Sequence, residues 1–243
     1  MIITIDGLTG SGKSTIARKL AIRLGFIHLN SGALFRSVAL KAKEECLSLE
    51  DDGQISELAK RTKFSFFLLD NKETSLLVDG ADLGGKLKEE NVGAFASKVA
   101  LLPSLREELV KVQREVAENF SVVLEGRDSG TVVFPEADLK FYLFASLEIR
   151  AKRRALELGI VPDGIVSALS TKEAKVVDAG ANKEMNEKFL FLKNQIESRD
   201  IQDSTREFAP HRKADDAAVI DTSDRGVQEV VDELFNRVMS LGK

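Results

Sequence analysis

Between residues 7 and 14 the chain reads Gly7-Leu8-Thr9-Gly10-Ser11-Gly12-Lys13-Ser14, glycines followed by a lysine and a hydroxyl in fixed register. The glycines let the backbone curl until successive N–H groups point at a phosphate, and a helix starting beyond them adds the positive end of its dipole. The chemistry this fits is a nucleotide cradle built from Gly7, Leu8, Thr9, Gly10, Ser11, Gly12, Lys13, Ser14 and Thr15. In it Lys13 bridges the β- and γ-phosphates of ATP, and the Ser14 hydroxyl faces a Mg2+ ion that arrives with them. A bare glycine turn joining strand to helix is the plainer alternative, but it would need neither Lys13 nor Ser14. The loop does not name the acceptor, because switches, motors and kinases share it.

Other groups could handle phosphate as well. Ser31 and Arg36 follow a short apolar stretch where the mouth of a parallel sheet would lie; an arginine there can fork onto a phosphate or simply face solvent. Glu125-Gly126-Arg127-Asp128 follows an apolar run, so Glu125 can order metal-bound water and Arg127 can reach a phosphate. Arg150, Arg153 and Arg154 stand at i, i+3, i+4 on one helical face, either as a solvated surface or as charge that closes over a transferring phosphoryl group. Arg199, Asp203 and Arg206 stand at i, i+4, i+7 and would form at least a helix ion pair.

The elements that must hold these groups alternate. Apolar runs at 2–5, 26–29, 122–124, 139–145 and 217–220 read as buried parallel strands, and amphipathic spacing at 14–24 and 103–120 reads as helices, with Pro103 in a first turn. That alternation predicts an α/β fold, a doubly covered parallel sheet of about five strands. Two stretches depart from it. Residues 64–69 and 75–78 flank Asp70-Asn71-Lys72-Glu73-Thr74 as a small antiparallel hairpin, and 158–196 is mostly polar, with Pro162-Asp163-Gly164 and Ala179-Gly180-Ala181-Asn182 as helix breakers. The expected division is one domain with core 1–62, 97–148 and 208–243, an insert at about 63–96 and a helical lid at about 149–207.

The totals narrow the class. With 43% hydrophobic and 30% charged residues the 243-residue chain can bury a core, and a net charge of -4 gives no global field for a nucleic acid. A single cysteine, Cys46, and an acid at Asp6 before any signal-like apolar run predict a cytoplasmic protein, and no run is long enough to span a membrane. A guanine-reading Asn-Lys-x-Asp is missing, since Asn71-Lys72-Glu73-Thr74 and Asn182-Lys183-Glu184-Met185 both lack the aspartate, which argues against a GTPase-like switch.

Two segments carry a resemblance to a known family. Asn30-Ser31-Gly32-Ala33-Leu34-Phe35-Arg36 is the first, and Glu125-Gly126-Arg127-Asp128-Ser129-Gly130-Thr131-Val132-Val133-Phe134-Pro135, continuing through Glu136-Ala137-Asp138-Leu139-Lys140-Phe141-Tyr142-Leu143, is the second. With them the chain resembles bacterial cytidylate kinases over nearly its whole length. The resemblance implies a nucleoside-monophosphate-kinase fold with an antiparallel insert in the acceptor region and an arginine-bearing lid. It implies CMP and dCMP as acceptors; ATP and Mg2+ are the cofactors the loop predicts, the charge and hydropathy predict no nucleic-acid or membrane partner, and a monomer is expected. Carried over by position, Ser31 and Arg36 bind the acceptor, Arg127 its phosphate, and Ser97, Arg106 and Asp128 the cytosine edge. Arg199, Asp203 and Arg206 serve ribose and phosphate, and Lys13, Arg127, Arg150, Arg153 and Arg154 catalyse the transfer. The chain departs from the family's usual residues at Phe35, Glu125 and Gln202, and residues 158–196 are longer than the pattern expects.

Overall fold

The computed structural model describes residues 1–160 and 179–241. Its elements, numbered in chain order, begin with β1 (Ile2–Gly7), α1 (Lys13–Leu24), β2 (Ile27–Asn30), α2 (Ser31–Glu44) and α3 (Asp52–Arg61). A three-stranded insert comes next, β3 (Phe64–Leu68), β4 (Thr74–Val78) and β5 (Ala81–Asp82), then α4 (Glu90–Val99) and α5 (Pro103–Asn119). The chain continues through β6 (Val122–Gly126), a single π turn (Ser129–Val133), β7 (Leu139–Phe144) and α6 (Leu147–Glu157). It ends with α7 (Ala179–Thr205), β8 (Ala218–Asp221) and α8 (Val227–Leu241).

Five strands pair in the order β2-β6-β1-β7-β8, all parallel, so the apolar runs are central strands covered on both faces. On one face Ile3, Ile5, Val123, Phe141 and Leu143 bury against Ile16 and Leu20 of α1 and Val230, Leu234 and Val238 of α8. On the other, Leu29, Val122 and Leu124 pack with Val133, Phe134 and the α5 residues Val110 and Val116. A further core joins α2 to α5 through Leu34, Val38, Ile55, Leu58, Leu105 and Leu109. All five strands run the same way, so the turns after β1, β2, β6 and β7 open at one edge of the sheet, where ligands of such sheets bind.

Local chemistry sets the boundaries. Gly25, at φ 70°, closes α1 with its N–H on the carbonyls of Ala21 and Ile22. Asn30 caps α2 by accepting from the Ala33 N–H, and Asp51 caps α3 by accepting from Gln54. Leu102 has no capping side chain for α5; instead Asp52 accepts from the Ser104 and Leu105 N–H groups at 3.1 and 3.3 Å. The insert is tied to the core where Thr74 Oγ1 accepts from the His28 N–H at 2.7 Å and Glu73 pairs with Arg18 at 2.7 Å.

One expectation is overturned. Ala179-Gly180-Ala181-Asn182 does not break a helix but forms the first turn of α7. Alanine is the strongest helix former, and glycine and asparagine are tolerated in a first turn whose N–H groups have no intrahelical acceptor to lose. The Pro162-Asp163-Gly164 breaker lies outside the described residues. α6 and α7 pack through Ala151, Ala155, Leu192 and Ile196.

Candidate active site

The loop after β1 is compressed against its neighbours. A Cβ on Gly7 would lie 2.4 Å from the Leu143 carbonyl oxygen, and Gly10, at φ 77°, packs directly on Arg150, where a Cβ would come within 3.0 Å of the arginine's own Cβ. Lys13 is buried and donates to the Leu8 carbonyl at 3.2 Å. Burial pushes its pKa down to about 7, Arg127 and Arg199 pushing the same way while Glu125 and Asp203 oppose them. The ammonium therefore stands short of counter-charge, the state that an arriving polyphosphate relieves.

Ser14 donates to Glu125 Oε2 at 2.6 Å. The buried Glu125 is raised by desolvation but held below its ordinary value by His28, Lys13 and the Ser14 hydroxyl together. Oε1 lies 3.2 Å from His28 Nε2, off the direction of a hydrogen bond. A hydroxyl and an ionised carboxylate side by side at the strand ends are the hard oxygen donors that suit Mg2+, so Ser14 and Glu125 fit that ion.

Opposite the loop, Asp6 at the end of β1 accepts from the Ser129 and Gly130 N–H groups at 2.9 and 2.8 Å and thereby fixes the segment that carries Arg127 and Asp128. Desolvation raises the Asp6 pKa against these two bonds. Arg127 donates through Nε to Asp203 at 2.9 Å and through one terminal nitrogen to Thr9 Oγ1 at 2.7 Å. Asp128 takes Arg106 at 2.5 Å, with both side chains 8% exposed, and has Arg206 at 3.6 Å. Arg206 also donates to the Ala209 carbonyl at 2.6 Å; burial first, then Arg106, lowers its pKa to about 10, so it remains a cation.

Arg36 and Arg199 differ from these. Each has a buried Nε with no hydrogen-bond partner, as Arg106 also has, but unlike Arg106, Arg127 and Arg206 neither has a carboxylate within 4 Å among the described residues. Burial lowers both pKa values, and Arg127 lowers both further. Lys13, Arg36, Arg127 and Arg199 thus form a cationic focus with unsatisfied donors, which is costly unless an anion completes it.

The remaining predicted residues are not all brought together. Ser31, Phe35, Arg106 and Asp128 share one cavity of about 410 Å³ whose lip includes Phe208. The Arg106 guanidinium lies 5.3 Å over the Phe35 ring. Ser97 does not line that cavity; its hydroxyl donates to the Gly93 carbonyl at 3.1 Å within α4. The arginines of α6 take three directions. Arg150 is buried, donating to Ala145 O and Thr9 O at 3.0 Å and pairing with Asp200 at 2.5 Å. Arg153 donates to Thr222 Oγ1 at 3.1 Å, and that hydroxyl in turn donates to the Ser11 carbonyl at 3.0 Å. Arg154 pairs with Glu157 at 2.9 Å and is 37% exposed. Asp6, Asp200 and Thr222 escape a sequence reading because each makes a contact across more than a hundred residues.

A family profile described as cytidylate kinase matches residues 3–178 and 168–240. The chain belongs to the cytidylate kinase family. A cytidylate kinase of Caldicellulosiruptor bescii is 39% identical over 240 residues, covering 98% of this chain and 96% of the relative. Cytidylate kinase 1 of Haemophilus influenzae is 36% identical over 242 residues, covering 100% and 95%. A solved structure of an uncharacterized protein from Eubacterium ventriosum shares the fold, with a TM-score of 0.51 at 13% identity over 99% of each chain.

Within this cytidylate kinase family member, His211 lies close behind the cationic focus. It stacks on Tyr142 with ring centroids 5.5 Å apart, and its Nε2 is buried without a partner. Burial, then Arg127, lowers its pKa to about 4. Because the unfolded imidazole binds a proton near pH 6.5 and the folded one does not, stability is expected to fall as pH drops from 6.5 towards 4. Urea titrations should show wild type losing on the order of 1–2 kcal/mol more than His211→Gln between pH 7 and pH 5. Equal losses in the two proteins would contradict this.

Proposed function

We propose that this protein transfers the γ-phosphoryl group of ATP to CMP, and also to dCMP, yielding ADP and the cytidine diphosphate. The observation that carries the reading is the set of buried guanidinium donors without partners, Arg36 and Arg199, around Lys13 and Arg127. They stand beside a cavity lined by the Arg106–Asp128 pair. Membership of the cytidylate kinase family supports the choice of acceptor.

In this reading backbone N–H groups of the Gly7–Thr15 loop hold the donor phosphates and Lys13 leaves the Leu8 carbonyl to bridge them. Ser14 and Glu125 would hold Mg2+, and the ion would supply neutralising charge to the phosphates. Arg36, Arg127 and Arg199 grip the acceptor phosphate, and Asp203 accepts from the sugar. Asp128 accepts from the exocyclic amine of cytosine, with Arg106, Ser31 and Ser97 as further polar groups of the acceptor region; uracil lacks that amine and presents a carbonyl to the same carboxylate. Arg150 and Arg153 brace the donor loop through Thr9 and Thr222, and Arg154 at the exposed end of α6 is the arginine left to meet the transferring group. The acceptor phosphate is already an anionic nucleophile, so no general base is required and catalysis is alignment plus electrostatics. The insert near 63–96 serves the acceptor side, and the segment near 149–207 serves as the lid, in a single-domain cytoplasmic monomer. Among the described residues no helix is long and apolar enough to cross a membrane.

Steady-state kinetics with CMP, dCMP and UMP offered separately test the reading. CMP and dCMP should each exceed UMP in kcat/KM by about tenfold or more. Equal use of UMP would remove Asp128 as the reader of the base.

A further inference from the structure

In the glycine-rich pattern, Thr9 occupies a position where any side chain serves, because the cradle uses only its backbone. In this chain each of its polar groups is engaged by a side chain from outside the loop. Its hydroxyl accepts from Arg127 at 2.7 Å, its carbonyl accepts from Arg150 at 3.0 Å, and its N–H donates to Asp200 at 3.4 Å. The two arginines are themselves paired with carboxylates one helical turn apart on α7, Arg127 with Asp203 at 2.9 Å and Arg150 with Asp200 at 2.5 Å. One residue of the donor loop is thus the meeting point of β6, α6 and α7.

From this we infer that the Thr9 hydroxyl is a positioning group for the acceptor: it sets the plane of the Arg127 guanidinium. The inference rests on the reading that Arg127 grips the acceptor phosphate. A guanidinium has five N–H donors in one plane, and a phosphate is held best by two of them in parallel. With Nε on Asp203 and one terminal hydrogen on Thr9, rotation about the side chain is blocked from both ends. The other terminal nitrogen has only a 3.5 Å contact with the Gly126 carbonyl, so its donors, together with the second hydrogen of the nitrogen bound to Thr9, are the ones left for an incoming oxyanion. Without the hydroxyl the same charge remains, but its fork is held at one edge only. The loss should therefore fall on acceptor binding and spare the donor, whose contacts come from the backbone.

Thr9→Val removes the hydroxyl and keeps the branched shape; Thr9→Ser keeps the hydroxyl. Calorimetric titration with CMP, in the absence of ATP, should show Thr9→Val binding about tenfold more weakly than wild type, and Thr9→Ser recovering most of that loss. The KM for Mg-ATP and the thermal midpoint should move little, by about twofold and by a few degrees at most. Should the valine variant fold poorly, Thr9→Ala gives the same comparison with less crowding. Wild-type affinity for CMP in Thr9→Val, or a loss confined to ATP, would overturn the inference alone. A wild-type protein that bound no CMP would overturn the acceptor reading and this inference with it.

Discussion

Lys13→Met is expected to lower kcat by about a thousandfold while leaving the protein folded. The two halves of that expectation have one origin. The Lys13 ammonium is buried, it donates to a neutral carbonyl, and its pKa is driven down to about 7 by burial and by Arg127 and Arg199. A base whose folded pKa lies below its unfolded one destabilises the fold at every pH below the unfolded value near 10.4, because the unfolded chain holds the proton more tightly. Methionine fills similar space without the charge, so the urea midpoint at pH 7 should stay level or rise. Catalysis moves the other way, since the same charge is the one placed to meet the phosphates between which the bond breaks. Retention of kcat within tenfold, or a fall in stability that accounts for the loss, would contradict the assignment.

Asp128→Ala is the substitution expected to damage both fold and specificity most. The carboxylate is buried between Arg106 at 2.5 Å and Arg206 at 3.6 Å. Removing it leaves two buried guanidinium groups facing each other, and Arg106 already depresses the Arg206 pKa with Asp128 present. Breaking one side of a buried pair costs about 3–5 kcal/mol, which chemical denaturation will show directly. Asp128→Asn separates the two roles, keeping shape and an acceptor oxygen. It should cost less stability yet narrow the ratio of kcat/KM for CMP over UMP, because the amide can also donate to the uracil carbonyl. An unchanged ratio would assign Asp128 to structure only.

Much of this arrangement is legible from short stretches of chain. The donor loop lies between an apolar run and an amphipathic helix, so β1 and α1 follow from local pattern alone, and the hairpin around Asp70 to Thr74 follows from its turn residues. Where local signals are weak the reading falls short. The short β5 is a two-residue bridge, too brief to carry an alternation, and Ala179 to Asn182 has the look of a linker although its alanines favour a helix. Side-chain direction is the larger gap. Spacing places Arg150, Arg153 and Arg154 on one face, yet Asp200 draws the first to the donor loop, Thr222 the second, and Glu157 turns the third to solvent. Nothing near those arginines in sequence announces Asp200 or Thr222. The same holds for Asp6, whose part in holding Ser129 and Gly130 becomes visible only when β1 and β6 lie side by side.

The most direct test of the central claim tracks the label from γ-phosphate-labelled ATP in the presence of CMP and Mg2+, with separation of the products over time. The structure predicts that label appears in CDP, with little in inorganic phosphate, and that Lys13→Met abolishes both. Label passing to inorganic phosphate at the same rate with or without CMP would show that the cationic focus does not serve a cytidine acceptor.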